Sequence, residues 1–473
     1  MVFSSAAFLF AFLPLVMGFY YLPVYRKSEK RQIRYKNTVL CVSSLLFYAW
    51  GEPVYIVLML LSIVFNYFVG IDIEENVYNE KKKKFALALG IGYNIFALGF
   101  FKYSGFIVNS LNGAFGTEID YSPLPLPIGI SFYTFQIMSY IIDVYYGTVR
   151  AQRKFMPFMT YISMFPQLIA GPIVQYSDIE EELQERSVSV EKFAAGIIFF
   201  IRGLGKKVLF ANTIGAVYTD ISSGDITEAS VVTSWIGIIA YTLQIYFDFS
   251  GYSDMAVGLG KMFGFNFCKN FDLPYTATSI TDFWRRWHIS LSSWFRDYVY
   301  IPLGGNRVSK PRHMLNILIV WSLTGLWHGA AWNFVAWGAF YGILLLAEKY
   351  IFKNLIEKTP KLLRHIITLV VVMLGWVLFA SPTLTDAVSY MATMFGFGDK
   401  VFIDSTAKYL LSTNAFSIIF MSLSAFGAFS NLPRTKNFRI NVTVLSISYL
   451  VIFILSIIYL ISETYNPFLY FRF

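Results

Sequence analysis

Apolar runs close to twenty residues long recur from one end of the chain to the other, parted by short polar or basic segments. A bilayer's hydrocarbon core takes ~20 helical residues to cross. The pattern therefore predicts an all-α polytopic membrane protein with about eleven or twelve transmembrane helices, plus re-entrant or interfacial helices. Residues 3–22 form the first span. Residues 38–50 and 54–71 follow, turned by Gly51-Glu52-Pro53, and 85–101 crosses again. Residues 102–122 read as a polar outer loop. The run 125–147, PLPIGISFYTFQIMSYIIDVYYG, carries Ser131, Thr134, Gln136, Ser139 and Asp143, polar groups that a span turns toward the protein interior. FPQLIAGPIV at 165–174 is too short and too rich in Pro and Gly for a span, which predicts a re-entrant element buried in protein.

Further on, 178–191 is an acidic-polar surface segment. Residues 193–218, broken by Arg202 and Lys206-Lys207, run along the interface before spanning. An acidic loop at 220–228 leads into a run containing TLQIYFDFSGYSDMAVGLGKMFGF, whose Asp248, Asp254 and glycines predict a kinked or re-entrant helix. Past the histidine-bearing stretch at 282–342, residues 366–380, 410–429 and 442–461 span, and 382–408 is an outer loop. Lys and Arg gather at 26–36, 81–84, 349–364 and 433–439. The positive-inside rule places these in the cytoplasm and the N-terminus outside.

Composition agrees with the pattern: 56% hydrophobic, 14% charged, mean hydropathy +0.55. The formal charge of +9 is explained by basic residues between spans, so nucleic acid is not an expected partner. The first run lacks a basic segment before it and a small-residue cleavage site after it, so it reads as a retained span. Cys41 and Cys268 stand in unrelated contexts and make no redox or metal motif. Asp248 and Asp254 are too few ligands for a hard cation, and no metal is expected.

Candidate chemistry concentrates between 282 and 342, which holds His288, His328 and most of the tryptophans. Ser279 and Asp282 match a helix-start pattern. From there Trp284, His288, Leu291, Phe295 and Tyr298 recur at helical spacing, opposite Arg285, Ser292 and Arg296. His288 thus belongs to the apolar face of one continuous helix, ended by Pro302 and Gly304-Gly305. One reading is a buried histidine bonded to a neighbour; the other is a site residue. His328 lies in a run from 314 to 347 without formal charge, where an ionisable residue is either functional or an interhelical hydrogen-bonding group.

Taken together, LWHGAAW, the opening MVFSSAAFLFAFLPL, PIGISFYTFQIMSYIIDVY, FPQLIAGPIV, DFSGYSDMAVGLGKMFGF, DFWRRWHISLSSWFRDYVYIPLGGNR and the closing YFRF resemble the membrane-bound O-acyltransferase family, in its bacterial alginate O-acetyltransferase branch. The resemblance covers 1–473 as a single integral-membrane domain, with a catalytic core at about 125–345. It implies a ring of helices around a central tunnel. It also implies that His328 and His288 are catalytic. Arg285, Arg286, Trp284, Trp327, Asn333, Gln136 and Asp143 become candidates for binding donor or substrate.

The implied activity moves acetyl from a cytosolic acyl thioester, acetyl-CoA foremost, for O-acetylation of an exported polysaccharide or cell-wall glycan. Acyl transfer needs a base near the hydroxyl and donors for the oxyanion. His328 suits the base, and His288 suits orienting the acyl group or polarising its carbonyl. No cysteine or G-x-S-x-G elbow supplies a nucleophile, so direct transfer is the simpler course. No bound cofactor is implied. Expected partners are an extracytoplasmic acyltransferase relay protein, membrane lipid and the glycan, at the bacterial cytoplasmic (inner) membrane. Two alternatives remain: D-alanyl transfer to teichoic acid from a carrier protein, and a secondary transporter, whose usual internal repeats are not found.

Overall fold

The computed structural model describes residues 1–25, 28–169, 171–428, 438–462, 466 and 469, without the side chains of 438–441. All regular structure among them is helical. The first helices are α1 (Leu13–Tyr21), α2 (Glu29–Gly51), α3 (Ile56–Glu75), α4 (Glu80–Phe115) and α5 (Ile130–Tyr146). Then come the short α6 (Phe155–Ser163), α7 (Phe165–Leu168) and α8 (Tyr176–Gln184), then α9 (Val190–Gly205), α10 (Asn212–Ser222) and α11 (Val231–Met262). The remainder are α12 (Ile280–Arg286), α13 (Ile289–Phe295), α14 (Lys310–His328), α15 (Trp332–Tyr350), α16 (Lys353–Lys358) and α17 (Lys361–Ala380), with α18 (Leu384–Met394), α19 (Ser405–Ala425) and α20 (Phe438–Ser462).

Five helical segments among the described residues are long and apolar enough to cross a membrane: α3, α4, α11, α17 and Val442–Ser462. The larger span count read from the sequence also took in more polar helices such as α14, which carries His313, Asn316, Thr324 and His328. The chain forms two compact units, residues 1–200 with 252–268, and residues 201–251 with 269–473.

The first unit is built around α5. Glycines in left-handed conformation bound it at both ends, Gly129 and Gly147, each with φ +76°. Most of its residues are buried, Gln136 and Ser139 completely. A helix so enclosed belongs in the interior, and its polar residues need not face water. Helices α3 and α4 pack against it and are tied to each other by Asn94, whose Nδ2 donates to Asn66 Oδ1 at 2.7 Å. Buried Gln167 and its α7 neighbours form the short non-spanning element expected at 165–174; residue 170 lies outside the described set.

Several boundaries differ from the sequence reading. α4 continues to Phe115 because nothing in 102–115 breaks a helix; only Gly116, at φ +63°, stops it. Lys102 is therefore buried in helix, 3.4 Å from Ser131 Oγ, not exposed in a loop. From Glu29 onward, the basic cluster at 26–36 is the first turns of α2 rather than a linker; residues 26 and 27 lie outside the described set, as do 433–437. α11 is one uninterrupted helix of 32 residues. Its Gly258 lies against the Gly196 carbonyl, a close helix contact that a side chain would block. The segment 382–408 contains α18, started by a reciprocal Thr383–Asp386 cap.

In the second unit α14 and α15 make an antiparallel pair joined through Gly329 to Ala331. Gly325 meets the Phe334 carbonyl and Gly338 meets the Trp321 carbonyl so closely that a methyl at either would collide with backbone. Trp337 and Tyr341 of α15 join Trp284, Trp287 and Trp376 in an aromatic core.

Candidate active site

His328 is the last residue of α14. It is 4% exposed, and three aromatic rings stand edge-on to its imidazole: Trp327 at 5.0 Å, Trp337 at 5.0 Å and Phe379 at 5.3 Å. It lines a cavity of about 10 Å³ together with Asp248, Phe249, Trp287, Trp376 and Leu469. That volume admits about one water molecule. Two polar side chains, His328 and Asp248, thus share a small space walled by aromatic groups.

His288 is not on the face of a continuous helix. The chain breaks between α12 and α13, and His288 occupies the break with φ +45°, ψ 56°. A left-handed backbone at a non-glycine residue is unfavourable and persists only when its surroundings hold it. Asn270 does the holding. Its backbone carbonyl accepts from Ile289 N at 2.9 Å. Its Oδ1 accepts from Ser290 N at 3.2 Å and from Ser290 Oγ at 2.9 Å, and lies 3.1 Å from His288 Nδ1. Because an amide N–H points at that atom, it is the oxygen, and His288 Nδ1 carries the proton. Phe249 stands edge-on at 4.7 Å, and Trp327 at 5.9 Å touches His288 as it touches His328.

The other candidates divide. Trp327 lies against both histidines. Trp284 is packed between Trp321, Trp337 and Tyr341, an interior position. Ser279 caps α12 as expected, accepting from Asp282 N at 3.0 Å. Arg286 binds Asp282 at 2.8 Å and the Asp272 carbonyl at 3.3 Å, pinning the preceding loop; Arg285 is exposed. Asn333 donates to the Ser381 carbonyl at 2.9 Å, fastening the start of α15 to the end of α17. Gln136 and Asp143 are buried on α5, in the first unit.

Sequence pattern alone missed Asn270, Trp376 and Phe379, and it missed the partner of Asp248. That partner is Lys207, 2.8 Å away, with both side chains almost wholly buried. Lys207 sits in a widened, π-helical turn, Lys206–Ala211, and also donates to Asn212 Oδ1 at 3.0 Å. The second Asp248 oxygen accepts from Leu469 N at 2.9 Å. Among the described residues no cluster of metal-ligating side chains occurs.

Two buried histidines facing one indole within a helical, multi-pass membrane protein fit a known class of enzyme. The chain belongs to the membrane-bound O-acyltransferase (MBOAT) family, whose sequence profile matches residues 148–385, and it is an O-acyltransferase. The transporter alternative falls with that assignment. It is 38% identical to the probable alginate O-acetylase AlgI of Azotobacter vinelandii over the full length of both chains. It is 42% identical to the protein of that name from Pseudomonas aeruginosa, over 84% of this chain and 75% of that one. Similarity extends to the peptidoglycan O-acetyltransferase of Helicobacter pylori, 35% identical over 84% of this chain and 80% of that protein.

Proposed function

We propose that this enzyme transfers acetyl from a cytosolic thioester, with acetyl-CoA the simplest donor, for O-acetylation of an exported glycan. The names of the relatives support acetyl and glycan. The placement of His328 in the cavity wall carries the catalytic reading. In the proposed step the acceptor hydroxyl gives its proton to the His328 imidazole as its oxygen attacks the thioester carbonyl. The tetrahedral oxyanion collapses, the C–S bond breaks, and the leaving thiolate takes the proton back from the imidazolium. His288, whose Nδ1 faces Asn270 Oδ1, is proposed to orient the acyl group or polarise its carbonyl. The aromatic walls keep bulk water from the thioester.

The acceptor hydroxyl is proposed to belong to an extracytoplasmic acyltransferase, which passes acetyl to the glycan, with the enzyme in the bacterial cytoplasmic membrane. None of the connections between described helices reaches the ~40 residues of even a small domain able to grip a polymer. The test is reconstitution of the purified enzyme in vesicles, with acetyl-CoA on the cytoplasmic side and glycan on the other. Acetylated glycan should require the added partner and an intact His328. Full acetylation by the enzyme alone would overturn the relay, and an active His328→Ala would overturn the catalytic assignment.

A further inference from the structure

A second concavity lies away from the histidines. It is an open groove of about 440 Å³ in the second unit, lined by Thr276, Thr278, Lys361, Leu362, His365 and Phe426. We propose that this groove holds an anionic phospholipid of the cytoplasmic leaflet, with phosphate at its polar rim and an acyl chain along its apolar side.

The lining has two characters. Leu362 and Phe426 are apolar and exposed. The Lys361 ammonium, the Thr278 hydroxyl and the His365 ring supply the polar part. Donors at the rim can be assigned. His365 Nδ1 lies 2.9 Å from the Ala277 carbonyl, which can only accept, so that nitrogen carries a proton and the ring is fixed against the groove wall. The Phe426 ring braces it at 5.7 Å. Thr276 Oγ1 spends its proton on the Leu273 carbonyl at 2.8 Å and can offer a ligand only acceptance. Lys361 and Thr278 are therefore the donors to a phosphate oxygen.

Position selects the occupant. α17 is apolar and long enough to span, and Lys361 is its first residue. Leu362, Leu363, Ile366 and Ile367 are each about half exposed or more, a lipid-facing band that starts beside the groove. The chain leading into α17 carries Lys349, Lys353, Lys358, Lys361 and Arg364 against Glu357. That excess marks the cytoplasmic face, where anionic lipids are attracted by basic groups. A groove at head-group height, cationic at the rim and open to an acyl-facing surface, matches a molecule with both parts. A soluble phosphate would use the rim alone and leave Leu362 and Phe426 in water.

The experiment uses the full-length protein in nanodiscs of phosphatidylcholine with a minor share of phosphatidylglycerol, reading co-retained lipid by native mass spectrometry. Phosphatidylglycerol should be retained over phosphatidylcholine by roughly tenfold, the scale of one well-made charge-assisted contact. Lys361→Glu should abolish that preference, and Thr278→Val should lower the amount of phosphatidylglycerol retained several-fold. Lys353→Glu, an equal charge change outside the groove, should leave it intact. Equal loss in Lys353→Glu and Lys361→Glu would overturn the proposal in favour of general surface charge. So would displacement of the lipid by inorganic phosphate at millimolar concentration, which would mark a free-anion site. Should Lys361→Glu fail to fold, Thr278→Val decides: unchanged retention of phosphatidylglycerol in that variant sinks the proposal.

Discussion

Asn270 fixes the tautomer of His288. One side-chain oxygen faces Nδ1 at 3.1 Å and is itself oriented by the Ser290 amide at 3.2 Å. The same residue anchors the left-handed kink through its backbone carbonyl. Asn270→Ala should therefore lower kcat by about 10- to 100-fold, equivalent to ~1.4–2.7 kcal/mol of transition-state stabilisation. Asn270→Asp keeps an acceptor toward Nδ1 and should fall less. Steady-state kinetics on both variants, with thermal melting to confirm folding, checks the order.

His328→Ala should cost roughly 10²- to 10⁴-fold in turnover, as expected for a removed general base. Aromatic rings pack edge-on against the residue, and the variant is expected still to insert and to melt near the parent temperature. A variant that is inactive only because it is unfolded would point to a packing role instead.

The Lys207–Asp248 pair makes a different prediction. Removing one charge from a buried pair strands the other, at about 3–5 kcal/mol. Lys207→Met should be strongly destabilising in detergent melts. Lys207→Met with Asp248→Leu should recover much of the loss, because neither charge is then left behind. If the double variant melts no higher than the single one, the pair is not the source of the stability.

Asp404 gives a pH signature outside the spans. It opens α19 and accepts from Ala407 N at 2.6 Å, Thr233 Oγ1 at 2.8 Å and Ser230 N at 3.2 Å. Burial works against its charge, but these bonds outweigh burial and hold the carboxyl below its ordinary value of 3.8. A group lowered on folding stabilises above its unfolded value and loses that contribution as pH falls through the folded one. Asp404→Ala should cost ~1 kcal/mol near neutrality. The gap from the parent protein should close as pH drops below about 4. A gap that is constant with pH would refute the charge argument.

Much of this was legible because membrane helices announce themselves by length and apolarity. The buried face of α5, the Ser279 cap and the end of the helix at Gly304-Gly305 all followed from local pattern. The errors share a cause. Trp284, His288, Leu291, Phe295 and Tyr298 keep helical spacing through a chain that kinks, since periodicity does not register one residue turned left-handed by Asn270. Lys102 looked like loop because charge suggests water, whereas in helix α4 it is buried beside Ser131. Nothing in the local pattern showed that Gly258 of α11 would lie against the Gly196 carbonyl. Lys207 and Asp248 were each visible alone, and only the fold makes them a pair.

α15 is held at both ends. Near its start Asn333 Nδ2 donates to the Ser381 carbonyl at 2.9 Å. Near its finish Glu348 accepts from Ile280 N at 2.6 Å and Thr281 N at 2.9 Å, holding the opening turn of α12. At 1.5 Å per residue, these attachments stand about 22 Å apart along the axis. The helix therefore acts as a gauge rod whose length and twist are both set. Adding or deleting one residue would turn one end by about 100° relative to the other and break one of the two attachments. Substitutions along its outward side leave the rod as it is. The chain's tolerance for changed residues in α15 should thus greatly exceed its tolerance for changed length.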